Sequence, residues 1–310
     1  MGNRLLADIP VVEWPLGDAP FTIDEARRVE TAIDEACRHC GSFFLNNHGV
    51  SAALVAATFE ETRRFYSLSS NEKRAFKCSA QSQFLGYRGV GAEKSLMHSG
   101  GEACEQYRIG NVVGTQGAQA MAEFYHQPFR QATLLFEQMT KVGSKLLSTC
   151  ATALGLQSTF FDCFMTAPMH RFGLNYYTVG SGRAIGNAVN YAMTSHVDHA
   201  VMTILMQDEP GLQVLGANEE WIDVPVIPGA LFVFLGDYME RWTNGLYRAT
   251  RHQVREVSRN RMSLQYKHRP SHAEVVTPLR PFIDEDRPPR YEAFDTGRQY
   301  TELLQSLLGG

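Results

Sequence analysis

The sequence predicts a single α+β domain in which helices flank one antiparallel β core, a sandwich or a jelly roll. Three observations carry this. Helical stripes dominate up to about residue 165. From about Arg171 they give way to short apolar runs separated by turn residues. No helical pattern interrupts those runs, which disfavours a parallel sheet. With 310 residues, 44% of them apolar, the chain can bury a core without disulfide or metal staples.

Taken in order, Ile9-Pro10-Val11-Val12 reads as a short extended run. Thr22-Ile23-Asp24-Glu25 is a capping box, in which hydroxyl and carboxylate each satisfy an orphan backbone N–H. Val29, Ile33, Ala36, Cys37 and Cys40 follow at helical spacing, and Gly41 supplies a stop. Ser42-Phe43-Phe44-Leu45 is again extended, and Ser51 opens a second helix to roughly Tyr66. The stretch from about 81 to 117 is rich in Gly, Ser and Gln and reads as loops or short strands. Phe129, Ala132, Phe136, Met139, Val142, Leu146, Cys150 and Ala153 mark a third helix over about 128–154, closed by Gly155. Apolar runs at 174–179, 200–206, 212–215, 221–224, 230–235, 250–257 and 262–266 are expected strands, and 291–308 an expected helix. One domain thus divides into a mainly helical region (about 1–165), a β core (about 166–275) and a C-terminal helical segment (about 276–310).

Charge and composition exclude several classes. The 29 basic and 33 acidic side chains, net -4, give no field for holding phosphate backbones, so no nucleic-acid partner is expected. No apolar run approaches the roughly 18 residues of a membrane span. Residues 1–6 lack a signal-peptide core, and Leu6 breaks the myristoylation pattern, so a cytoplasmic protein is expected. Cys37-Arg38-His39-Cys40 reads as two small residues on one helix rather than half a zinc site, since no second Cys-x-x-Cys exists.

Chemistry concentrates in two patterns. His196-Val197-Asp198, placed on a strand, would aim two ligands at one side, and His252 on a later strand would face them across a narrow barrel. Two neutral imidazoles and a carboxylate hold one face of an octahedral ion and leave three positions open, as in non-haem Fe(II) oxygenases; the same donors also suit zinc. Arg261-Met262-Ser263 sets two polar side chains on one strand face, with Met262, Leu264 and Tyr266 on the other. A guanidinium fork and a hydroxyl bind a carboxylate. Nine positions after His252, they suit a small acid that chelates the ion with one end and meets Arg261 with the other. Asn175 and Tyr177, on an earlier strand, can serve the same ligand.

Further stretches join these in order. They are Ile9-Pro10-Val11-Val12, Gly41-Ser42-Phe43-Phe44-Leu45-Asn46-Asn47-His48-Gly49-Val50, Asn175-Tyr176-Tyr177, Gly211-Leu212-Gln213-Val214, Gly236-Asp237 and Trp242-Thr243-Asn244-Gly245. Together with His196-Val197-Asp198-His199, His252-Gln253-Val254 and Arg261-Met262-Ser263, the chain resembles the isopenicillin N synthase-like branch of the Fe(II)/2-oxoglutarate-dependent oxygenases over nearly its whole length. The resemblance implies a double-stranded β-helix (jelly-roll) core with flanking N-terminal helices and a C-terminal helix. It implies His196, Asp198 and His252 as the catalytic Fe(II) ligands. Arg261 and Ser263 would bind the distal carboxylate of 2-oxoglutarate, with Tyr177 and Asn175 assisting.

The implied reaction uses O2 to oxidise an unactivated C–H bond of a small molecule (an amino acid, a peptide or a natural product), by hydroxylation, with succinate and CO2 as coproducts. In such proteins the N-terminal loops and the C-terminal helix cover the iron. Tyr87, Arg88, Tyr107 and Arg108 are therefore candidates to meet the substrate, and an arginine there favours a carboxylated one. His48 and His199 match family positions that are not ligands, and Thr178 stands where the family often has Pro. The competing readings are an oxidase or cyclase of the same family that needs no 2-oxo acid, a zinc hydrolase, and a silent binding module. The hydrolase lacks a His-Glu-x-x-His helix and leaves Arg261-Met262-Ser263 without a purpose.

Overall fold

The computed structural model describes residues 9–15, 21–94, 101–114, 116–180, 183–185 and 189–308; residues 1–6, Ser181 and Gly182 lie outside these. The strands are β1 (Val11–Glu13), β2 (Ser42–Asn46), β3 (Gly86–Arg88), β4 (Glu105–Gly110), β5 (Arg171–Tyr177), β6 (Arg183–Ile185), β7 (Val189–His196), β8 (Met202–Gln207), β9 (Leu212–Leu215), β10 (Trp221–Asp223), β11 (Leu231–Leu235), β12 (His252–Arg255), β13 (Arg261–His268), β14 (Val275–Val276) and β15 (Phe294–Asp295). The helices are α1 (Ile23–His39), α2 (Ala52–Tyr66), α3 (Ser70–Arg74), α4 (Gln116–His126), α5 (Arg130–Ala153), α6 (Asp237–Trp242) and α7 (Thr296–Leu308).

Two sheets form the jelly roll: a large one in the order β1-β2-β11-β8-β13-β5-β4-β3, and a small one in the order β10-β9-β12-β7-β6. Successive side chains point to opposite faces of a strand, so in the large sheet one apolar set fills the space between the sheets and the other meets the helices. Tyr177, Leu205, Phe232 and Phe234 of the large sheet share an inner core with Ala192, Leu212, Val214 and Val254 of the small one. Leu264 and Tyr266, on the opposite face of β13, belong to a second core with Phe136 and Met139 of α5. Burying each such side chain contributes about 1.5–3 kcal/mol. The Tyr266 ring lies 5.7 Å from that of Phe136.

The expected capping box at Thr22 and Glu25 forms at the start of α1. Ser51 caps α2 through the Leu54 amide. The extended runs expected at 9–12 and 42–45 form β1 and β2 toward one edge of the large sheet, and β4 and β3 form the other edge. Two expectations are corrected. Strand β7 forms where no apolar run announces it, and α4 lies almost wholly beyond residue 117, in a stretch given no element. The C-terminal helix begins at Thr296, because Phe294 and Asp295 first pair with β14. Among the described residues no helix is long and apolar enough to cross a membrane.

Candidate active site

His196 ends β7 and His252 begins β12, and the antiparallel ladder sets them directly opposite each other. They are therefore neighbours in one sheet, not partners across the barrel. Asp198 lies beyond the end of β7, outside any strand, so the chain's turn rather than strand alternation brings it round. One ligand atom from each of the three residues falls within 4.8 Å of the others. The Nε2 atoms of His196 and His252 stand 3.6 and 3.9 Å from Asp198 Oδ1.

Both rings are aimed by backbone. His196 Nδ1 lies 2.7 Å from the Thr194 carbonyl oxygen, and His252 Nδ1 lies 3.1 Å from that of Thr250. A carbonyl only accepts, so Nδ1 carries the proton and Nε2 presents its lone pair to the cluster. Burial, with the neighbouring His196, pushes His252 down to about 3, which leaves it neutral and able to donate to a metal. For His196 burial also opposes charge, but the hydrogen bond and charge of Asp198 outweigh it and move its imidazole up. Burial pushes the Asp198 carboxyl up, yet the Lys267 ammonium and the two imidazoles overcome it and hold the group well below the usual carboxylate range. Thr203 donates its hydroxyl to Asp198 Oδ2 at 2.5 Å, which turns Oδ1 toward the histidines.

The second pattern lies deeper in the barrel. The register of β13 on β5 pairs Arg261 with Tyr177 and Ser263 with Asn175. Arg261 is 1% exposed. Its Nε donates to the Glu209 carbonyl at 3.0 Å and its Nη2 to Gln207 Oε1 at 2.7 Å. Its Nη1 is buried with no hydrogen-bond partner, and among the described residues Arg261 makes no ion pair. The guanidinium lies 4.9 Å from the centre of the Tyr177 ring. Burial pushes the Tyr177 phenol up to about 12, so it stays protonated. A buried guanidinium with one unpartnered donor can receive a carboxylate. This fits a 2-oxo acid whose far end lies at Arg261 and Ser263.

A cleft opens beside Asp198, lined by Arg88, Arg108, Lys267 and Arg269 among others and roofed by Tyr300, Leu304 and Leu307 of α7. Arg108 donates from Nη1 to Asn175 Oδ1 at 2.6 Å and from Nη2 to Gln106 Oε1 at 2.5 Å. Asn175 Nδ2 donates in turn to the Tyr177 hydroxyl at 3.3 Å. Asn175 therefore bridges the cleft and the Arg261 end. Arg108 lies flat because Gly173 opposite has no side chain; a Cβ there would stand 2.5 Å from Arg108 Nη1. Arg88 faces the cleft but pairs with Glu93 at 3.0 Å. Tyr87 is a correction. Its side chain joins the helical core, its hydroxyl donates to Glu105, and it does not line the cleft. Tyr107 likewise packs in that core, with its hydroxyl on the Tyr125 carbonyl. His48 lies elsewhere, its Nε2 2.9 Å from the Gly229 carbonyl oxygen. Lys267, Arg269, Glu93 and Glu102 went unread in the sequence. The first was within reach, since Arg261, Ser263 and Lys267 share one face of a strand by simple alternation.

Against known proteins, the chain matches the family model of the 2OG-Fe(II) oxygenase superfamily over residues 170–270. It matches that of the non-haem dioxygenase in morphine synthesis N-terminal region over residues 9–129. It is 26% identical over 293 residues to a homoarginine-6-hydroxylase of Oryza sativa subsp. japonica, with 88% of each chain covered. It is 28% identical over 326 residues to gibberellin 20 oxidase 1 of Arabidopsis thaliana, covering 98% of this chain and 80% of that one. A full-length Neurospora crassa protein solved with alpha-KG and thymine superposes with a TM-score of 0.80 at 20% identity, with 96% of each chain covered. The jelly-roll architecture is shared with it.

Proposed function

The chain belongs to the 2OG-Fe(II) oxygenase superfamily, and from that premise we propose that His196, Asp198 and His252 hold Fe(II) while Arg261, Ser263, Tyr177 and Asn175 hold 2-oxoglutarate for the hydroxylation of a carboxylated small molecule. The observation that carries the reading is the complementary pair of incomplete sites in one barrel. A cluster of two Nε2 atoms and a carboxylate oxygen calls for a cation. Nearer the other end, an unpartnered guanidinium donor calls for an anion. A 2-oxo acid with a distal carboxylate bridges such a pair, which favours this reading over an oxidase that needs no cosubstrate.

Bound iron and 2-oxoglutarate supply a two-electron oxidation of a C–H bond by O2, releasing succinate and CO2. The protein's share is placement. Thr194 and Thr250 fix the imidazole tautomers, and Thr203 holds the carboxylate rotamer. Arg261, stacked on Tyr177 and tied to Gln207, offers its remaining donor at a fixed angle. Arg108 lies on the cleft floor, where an anionic substrate would meet it. Relatives named for acting on homoarginine and on gibberellin support a small-molecule substrate. We place the reaction in the cytoplasm and in natural-product formation; the free thiols of Cys37 and Cys40 accord with a reducing compartment.

Anaerobic titration tests this. Fe(II) followed by 2-oxoglutarate should give the visible metal-to-keto-acid charge-transfer band, and His196→Ala should abolish it. Iron bound without a band would move the cosubstrate-free oxidase ahead. Iron unbound would end the assignment.

A further inference from the structure

The cations of the cleft are not equivalent. Arg88 is neutralised by Glu93 at 3.0 Å. Arg108 is engaged by Asn175 and Gln106. Arg269 donates to the His199 carbonyl at 2.5 Å and the Tyr238 hydroxyl at 3.0 Å, with the Tyr300 ring 4.3 Å from its guanidinium. Lys267 is placed differently. Its Nζ donates at 2.7 Å to Asp198 Oδ1, the same oxygen that both imidazole Nε2 atoms approach. The other carboxylate oxygen is held by Thr203. Lys267 therefore stands where a metal ion would draw its charge from Asp198.

An ammonium and a divalent cation repel strongly at a few ångströms in a buried site, and they compete for one oxygen. Thr203 already takes one lone pair of the other oxygen, which narrows the room for the lysine to retreat there. The side chain is 23% exposed and opens onto the cleft, so it has somewhere to go. Once displaced, its charge stays in a cleft whose two lining glutamates already hold other groups. Glu93 is committed to Arg88. Glu102 is committed to the Thr194 hydroxyl and amide.

We propose that Lys267 is a specificity-determining residue: the metal takes Asp198 Oδ1 from it, and the freed ammonium then holds a carboxylate of the prime substrate next to the metal. This rests on the ligand assignment above, and it adds the order of events and the residue that selects an acid over its neutral counterpart. Before the metal enters, Lys267 neutralises the buried Asp198. Afterwards it serves the substrate.

Mn(II) is the probe for the first half, with free ion counted by electron paramagnetic resonance in wild type, Lys267→Met and Lys267→Arg. Lys267→Met should bind Mn(II) about tenfold more tightly, because no ammonium must be displaced, and Lys267→Arg should stay within about threefold of wild type. For the second half, the Mn(II)–N-oxalylglycine complex is screened by thermal shift with carboxylic acids and their matched methyl esters. Wild type should be stabilised by at least one acid and not by its ester, and Lys267→Met should lose that preference while Lys267→Arg keeps part of it. The proposal is overturned if Lys267→Met and wild type bind Mn(II) alike, or if no acid stabilises wild type more than its ester does. Failure of wild type to bind Mn(II) at all would instead bring down the ligand assignment.

Discussion

Two pairs of neighbouring histidine rings lie among the described residues, one stacked and one tilted, and they have opposite fates. His170 and His268 stack with ring centres 4.4 Å apart, and His196 and His252 stand 4.3 Å apart. In the first pair, His170 Nδ1 accepts the Arg269 amide and His268 Nδ1 meets the Tyr266 hydroxyl, so both Nδ1 atoms are engaged within the core. Burial pushes these two down to about 2 and about 3, and each stays neutral. In the second pair both Nδ1 atoms turn to backbone carbonyls, both Nε2 atoms converge, and a carboxylate stands between them. Proximity of imidazoles is thus no mark of a metal site. What separates the pairs is the direction of the lone pairs and the presence of Asp198.

The comparison breaks most visibly at Asp198. Asp198→Ala should leave the protein without stoichiometric metal and abolish turnover, measured by metal analysis and by succinate release; full metal content would erase the distinction between the pairs. Arg261→Ala tests the far end of the same barrel. It should keep its metal but raise the apparent KM for 2-oxoglutarate by roughly 10–100-fold, the scale of losing hydrogen bonds to a charged group. Thr203→Val sharpens the role of carboxylate orientation. Loss of the 2.5 Å hydroxyl contact should weaken metal binding about 10-fold, read by Mn(II) titration, and leave the fold intact. His170→Ala should do the reverse. It should cost about 2–4 kcal/mol of stability in a denaturant melt, as a large-to-small core change does, with metal stoichiometry unchanged.

Much of this was written locally. The capping box at Thr22, the stop at Gly41 and the long stripe into Cys150 fix α1 and α5 because each satisfies backbone or buries a face without help from distant residues. The cluster residues were legible for a different reason: few side chains ligate metals, so two histidines and an aspartate in a β-rich half stand out. What escaped depends on register. Strand β7 carries Asn190, Tyr191, Thr194 and Ser195 and is held by its neighbours rather than by its own apolarity. That His196 faces His252 in one sheet, and that Tyr87 turns into the helical core while Arg88 turns into the cleft, follow from pairings across long stretches of chain. Lys267 was hidden by its charge, since a lysine reads as solvated until the strand face it occupies is known.

Gly173 shows how little matter can govern a recognition surface. It has no side chain to donate or to pack, yet the Arg108 guanidinium rests in the space its missing Cβ leaves. Adding one methyl group there would displace the tip of a flexible side chain rather than the sheet beneath it. The barrel would keep its shape while the positive charge on the cleft floor shifted. For a scaffold that serves many chemistries, such a vacancy is a cheap dial: turning it changes what the enzyme accepts and spares the machinery that performs the reaction.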